Sequence, residues 1–320
     1  LPICWHFIVD KNKPWKSFVC SRPAQRMACT LSAIIHSHHQ LSNGALKISY
    51  RHILEQPELV DRLIVLTDEQ WQDLQLEGFP AARMAVIPNH LDNGNIPANP
   101  QKAPSQTVIY LARYSEEKQH ALLLNAFRKV LTAIPDAQLH TYGVGPLRRS
   151  LSARVAEWGL EKAIHINGFT SDIAQAHKTA CCAVLCSTQE GQSLSAVEAM
   201  AYGTPLISFA IKYGPRDILQ DREAGILVPC GDEEALAAAL IAVISDKSLQ
   251  QSMQQAALRT PSATTAALSP DAGRHGCRQA SVSWMPARSA ETGWKKSVLG
   301  RLTLANRQRL FYSRGPQAWR

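Results

Sequence analysis

The sequence predicts an α/β protein made of two parallel-sheet units, the first incomplete and the second complete. Two observations carry this. From Thr107 to Pro229 short apolar runs alternate with helical patterns, an arrangement that calls for a parallel sheet covered on both faces. Before residue 105 the same alternation recurs with fewer runs. The chain of 320 residues therefore divides into a partial first unit with its linker (1–105), a second unit (106–258) and a tail of different composition (259–320).

In chain order, the opening apolar run at 1–9 is too short to span a membrane and lacks a basic leader. The chain starts on Leu1, which reads as an N-terminal truncation. Strands are expected around Val19 and over 33–37, 63–67 and 85–88, with helices between them, about half of a Rossmann-like domain. Residues 93–105, rich in Asn, Pro, Ala and Gly, suit an interdomain linker and hinge. The second unit offers strands at 107–112, 137–143, 164–168, 181–187, 205–210 and 224–228. Helical patterns cover 121–134 and 195–202, the latter stopped by Gly203. Asp232 is placed to cap an Ala-rich helix to Ser245, and a further helix reaches about Leu258.

The net charge of +8 suggests a polyanion partner until it is located. Eleven Lys and Arg but only Asp271 and Glu291 lie from Arg259 onward, so the first 258 residues carry −1. A nucleic-acid-binding body is thereby excluded. The tail, dominated by Ser, Ala, Arg, Pro and Gly, does not build a core and reads as disordered or non-native. None of the eight cysteines forms a C-x-x-C pair, and Cys181, Cys182 and Cys186 crowd one apolar run as small hydrophobes. That usage points to a reducing, cytoplasmic compartment.

Chemistry concentrates where the run at 181–187 gives way to a polar loop and then a helix. Ligands of open α/β sheets sit beyond the carboxyl ends of strands, and a helix start attracts phosphate. Glu190 and Glu198 flank this point, suited to sugar hydroxyls and a ribose diol respectively. Two plainer roles stand beside these: Ser195 and Glu198 also fit a capping box, and Glu190 a solvated loop acid. A second strand-to-helix turn, Leu111-Ala112-Arg113-Tyr114-Ser115-Glu116-Glu117-Lys118, carries Arg113 and Lys118, either surface cations or a diphosphate clamp. Gly143 and Gly145 mark a third turn. In Ile34-Ile35-His36-Ser37-His38-His39 an extended backbone sends His36 and His38 one way and His39 the other, with no Cys or carboxylate cluster to complete a metal site.

The string Glu190-Gly191-x-Ser193-Leu194-x-x-x-Glu198-Ala199-Met200 resembles the E-x7-E signature of the retaining group 1 glycosyltransferases (family 4) of GT-B fold. With Gly203-Thr204-Pro205 and Lys212-Tyr213-Gly214-Pro215-Arg216-Asp217 it is similar to the branch of poly(glycerol-phosphate) α-glucosyltransferases and adhesin O-N-acetylglucosaminyltransferases. The likeness covers about residues 34–243, and the family's first strand with its glycine-rich turn has no counterpart. It implies two Rossmann-like domains and transfer of a hexose from UDP-glucose or UDP-N-acetylglucosamine to a hydroxyl of a cell-wall polymer or protein. Neither metal nor cofactor is implied.

By the same resemblance Arg113 and Lys118 hold the diphosphate, Glu198 the ribose, and Glu190 the sugar. Gly191, Ser193, Leu194 and Gly143 line the donor, the Asn167 turn lies near the base, and His36 faces donor sugar or acceptor at the cleft. Pro88-Asn89 resembles the turn that ends the first domain. Peripheral membrane or partner-subunit association belongs to the same expectation. Two rival functions remain, a non-catalytic nucleotide-sugar-binding module or partner subunit, and a sugar-nucleotide epimerase.

Overall fold

The computed structural model describes residues 3–8, 29–35, 48–89, 91, 103–219 and 223–260. The strand expected around Val19, the histidines at 36, 38 and 39, most of the linker and the tail beyond 260 lie outside the described residues.

The first sheet has four parallel strands in chain order, β1 (Ile3–Ile8), β2 (Cys29–Ile34), β3 (Arg62–Val65) and β4 (Met84–Val86). Here the opening apolar run is a strand, a role the sequence reading did not assign it. Its six residues pair along their whole length with β2, which begins at Cys29 rather than Ala33. Helix α1 (Ile48–Glu55) and helix α2 (Asp68–Leu76) accompany this sheet. Thr67 caps α2 by accepting from Gln70 N, and Asp68 and Glu69 in its first turn complement the helix dipole. Tyr50, Ile53, Leu63, Val65, Leu74, Phe79 and Met84 form its buried core.

The second sheet has six parallel strands: β5 (Thr107–Leu111), β6 (Gln138–Tyr142), β7 (Ile164–Ile166), β8 (Cys182–Leu185), β9 (Leu206–Phe209) and β10 (Gly225–Val228). Each falls inside an expected run, trimmed at its ends. All four residues of β8 and of β9 are buried, as near-continuous apolar runs in a two-sided sheet require. Helices follow as α3 (His120–Ala133), α4 (Arg148–Glu157), α5 (Ile173–Thr179), α6 (Leu194–Ala201), α7 (Pro215–Ile218), α8 (Glu233–Ser245) and α9 (Lys247–Arg259). Asp232 caps α8 by accepting from Ala235 N, as expected. Asp246 closes α8 and caps α9 through Ser248 and Leu249.

The spatial order β10-β9-β8-β5-β6-β7 reverses direction between β5 and β8. At such a switch point the loops beyond two adjacent strands part, and a crevice opens at their carboxyl ends. The chain segments after Leu111 and after Leu185 leave the sheet at this switch point.

Candidate functional site

Beyond β5 the backbone passes Arg113 to Ser115, makes one tight turn at Glu116–Lys118 and enters α3 through Gln119 in a left-handed conformation (φ 51°). Beyond β8 it passes Thr188 and Glu190. The two segments are fastened together. Thr188 N donates to Glu117 O at 2.9 Å, and Lys118 Nζ forms an ion pair with Glu190 Oε1, both side chains being 14% exposed. Tyr110, fully buried in β5, donates its hydroxyl to Lys118 O at 2.8 Å. Burial pushes that phenol well above its ordinary pKa, so it stays protonated and keeps donating.

Lys118 and Glu190, given separate tasks by sequence, thus meet in one half-buried pair. Arg113 differs. It is exposed and pairs with Glu117 Oε1 at 3.0 Å within the same turn, a surface contact of little energetic weight that leaves the guanidinium easily redirected.

The loop after Glu190 ends in α6. Its N-cap is Ser193, whose Oγ lies 3.0 Å from Ser195 Oγ and makes no hydrogen bond to a first-turn amide. Because the helix opens at Leu194, Ser195 already lies inside it, and the capping box of Ser195 with Glu198 is not formed. First-turn amides without a side-chain cap suit an anion. Gly191 and Ser193 are buried in this loop, Leu194 is half-buried, and Glu198 is half-buried on the following turn.

Gly143 has a structural duty of its own. A Cβ there would stand 2.0 Å from Ala112 O, and one at Gly145 would stand 2.3 Å from Tyr114 O, so only glycine lets the ends of β5 and β6 pass so closely. The Tyr114 hydroxyl sits 2.7 Å from Asn167 O and 3.0 Å from Thr141 O, tying the ends of β5, β6 and β7. Burial raises its pKa to about 12. Between the rings of Tyr110 and Tyr114, 4.7 Å from each, lies His120. Neither of its nitrogens has a hydrogen-bond partner among the described residues. Burial, then the Lys118 charge, lowers its pKa to about 3.

The first unit reaches this site at two places, the turn at Pro88-Asn89 and the segment 212–214, whose contacts sequence reasoning did not foresee. Asn89 N donates to Gln192 Oε1 at 2.5 Å, and Asn89 Nδ2 donates to Gln192 O at 2.8 Å. On α2, Glu69 accepts from Tyr213 N at 3.3 Å, and Asp73 accepts from the Tyr213 hydroxyl and pairs with Lys212 Nζ at 2.7 Å. The available signals were Asn89 after Pro88 and an aromatic residue before Gly214-Pro215. Among the described residues no group of His, Cys, Asp and Glu is arranged to hold a metal ion, and no helix is long and apolar enough to cross a membrane. His36 lies outside the described residues.

A family model, "Glycosyl transferases group 1", matches residues 94–260. The poly(ribitol-phosphate) α-N-acetylglucosaminyltransferase of Staphylococcus aureus is 29% identical over 198 residues, 61% of this chain and 40% of that protein. The poly(glycerol-phosphate) α-glucosyltransferase of Bacillus subtilis is 25% identical over 265 residues, 78% and 39% of the two chains. Among solved structures, S. aureus TarM in complex with fondaparinux, α-GlcNAc-glycerol and UDP matches with a TM-score of 0.69 at 25% identity, over 76% of this chain and 49% of that one. The chain thus spans half or less of the length of these relatives.

Proposed function

Because the chain belongs to the group 1 glycosyltransferases, whose fold it has, we propose that it transfers a hexose from a UDP-sugar to a hydroxyl of a cell-wall polymer or protein, with retention at the anomeric carbon. The observation that carries this is the Lys118–Glu190 pair at the switch point, beside the start of α6. A cation, a carboxylate and a helix N-terminus converge where a sugar diphosphate needs a charge clamp, a sugar contact and amide donors. In this reading Lys118, joined by Arg113, shifts to the diphosphate as donor enters. Glu190 is released to the sugar, Glu198 accepts from the ribose diol, and Gly191, Ser193 and Leu194 bring backbone to the donor.

The bond from the anomeric carbon to the phosphate oxygen breaks while the acceptor oxygen adds on the same face. The departing UDP oxygen takes the acceptor proton, so sugar-nucleotide and alcohol become glycoside and UDP with no protein nucleophile. Charge building on UDP is met by Lys118 and the α6 amides. Neither metal nor cofactor enters. The relatives' names support glucose or N-acetylglucosamine as the sugar and teichoic-acid-like polymers as acceptors. A cytoplasmic location and a partner subunit belong to the same proposal, the latter supported by a GtfA/B complex matched at 26% identity and a TM-score of 0.60.

Calorimetric titration with UDP, UDP-glucose and UDP-N-acetylglucosamine tests the reading. Micromolar binding is expected, weakened tenfold or more, about 1.4 kcal/mol, in Lys118→Ala and in Glu198→Ala. A folded chain that ignores all three nucleotides overturns it. Binding without transfer to any polymer or protein acceptor leaves a donor-binding module instead.

A further inference from the structure

We propose that the turn Lys212-Tyr213-Gly214, anchored on α2, is a positioning device that holds the loop 190–193 in place at the crevice. This rests on the proposed donor role of that loop. The turn is costly to build. Tyr213 adopts φ 66°, a left-handed conformation that bulky residues rarely take, and Gly214 follows at φ 89°. What compensates is visible around it: Tyr213 is fully buried, its amide is bonded to Glu69 and its hydroxyl to Asp73, and Lys212 closes on Asp73 from above the Tyr213 ring at 5.4 Å. The strain is therefore maintained by contacts from the first unit.

The strained backbone abuts the donor loop. A Cβ on Gly214 would lie 3.2 Å from Gln192 Cα and from Gly191 O, so the two backbones are in close contact. From the other side Asn89 holds Gln192 by its side-chain oxygen and its carbonyl. Gly191 and Gln192 are consequently clamped between Gly214 and Asn89, one residue from Glu190 and one from the α6 cap. Burial, then the bond to Asp73 and the charges of Asp73, Glu69 and Glu77, pushes the Tyr213 phenol far up, which keeps it a hydrogen donor.

Hydrogen exchange of the ligand-free chain, followed by UDP titration, separates positioning from plain structure. Tyr213→Phe, which keeps the ring, and Asp73→Ala, which removes the acceptor, are expected to speed amide exchange over 190–194 by roughly tenfold while α8 and α9 exchange as in the parent chain. Asp73→Asn, whose amide oxygen still accepts, is expected to exchange like the parent. UDP affinity should fall roughly threefold to tenfold in the first two variants and hold in the third. Parent-like exchange over 190–194 in Tyr213→Phe and Asp73→Ala overturns the inference, as does acceleration spread equally over α8 and α9. If the parent chain binds no UDP, the donor reading falls, and the exchange result still decides whether the turn positions the loop.

Discussion

His120 shows what enclosure does to a single titratable group. It begins α3 two residues after Lys118, wedged between two tyrosine rings, and its pKa of about 3 means the folded protein keeps it neutral. Unfolding returns it to the ordinary value of 6.5, so the unfolded chain binds a proton first as pH falls. Stability linked to this residue is complete above pH 6.5 and is lost progressively between 6.5 and 3. At pH 5 the loss amounts to about 2 kcal/mol. Urea unfolding at pH 7 and pH 5 should show that difference shrink by about the same amount in His120→Phe, which preserves the aromatic packing. An unchanged difference would assign the acid sensitivity to other groups, His140 among them. At this scale the sequence displayed the residue types but not their pairings. Lys118 and Glu190 were both legible as site residues, yet they lie 72 positions apart, and nothing local says they join.

Elements were the most legible level. The six strands of the second sheet and the Asp232 cap fell where apolar runs and capping chemistry put them, because buried parallel strands need continuous apolar stretches and a helix start needs an oxygen acceptor. The exception, β1, was weighed only as a membrane segment. Replacing Asp232 with Ala should cost about 1 kcal/mol in urea unfolding by freeing Ala235 N. Gly143→Ala should cost about 1–3 kcal/mol, since the added methyl drives the ends of β5 and β6 apart. A neutral Gly143→Ala would show that these ends separate without resistance.

Across the whole molecule the contacts that join the two sheets among the described residues include Asn89 with Gln192 and α2 with the turn at 212–214. This level was the least readable from sequence, since contacts across more than a hundred positions leave no periodic trace. Gln192→Ala strips the acceptor from the buried Asn89 amide and should lower stability by about 1–3 kcal/mol in chemical denaturation. Full stability in that variant would mean that Asn89 finds another acceptor.

The reversal between β5 and β8 also bears on how such a chain emerges from a ribosome. β5, β6 and β7 are complete early, but the central pairing of Val108 with Cys182 waits for β8 to be synthesised. Until then β5 presents one unpaired edge, and Lys118 has no Glu190 to meet. Translation arrested before residue 182 would therefore leave an adhesive half-sheet with that edge still open.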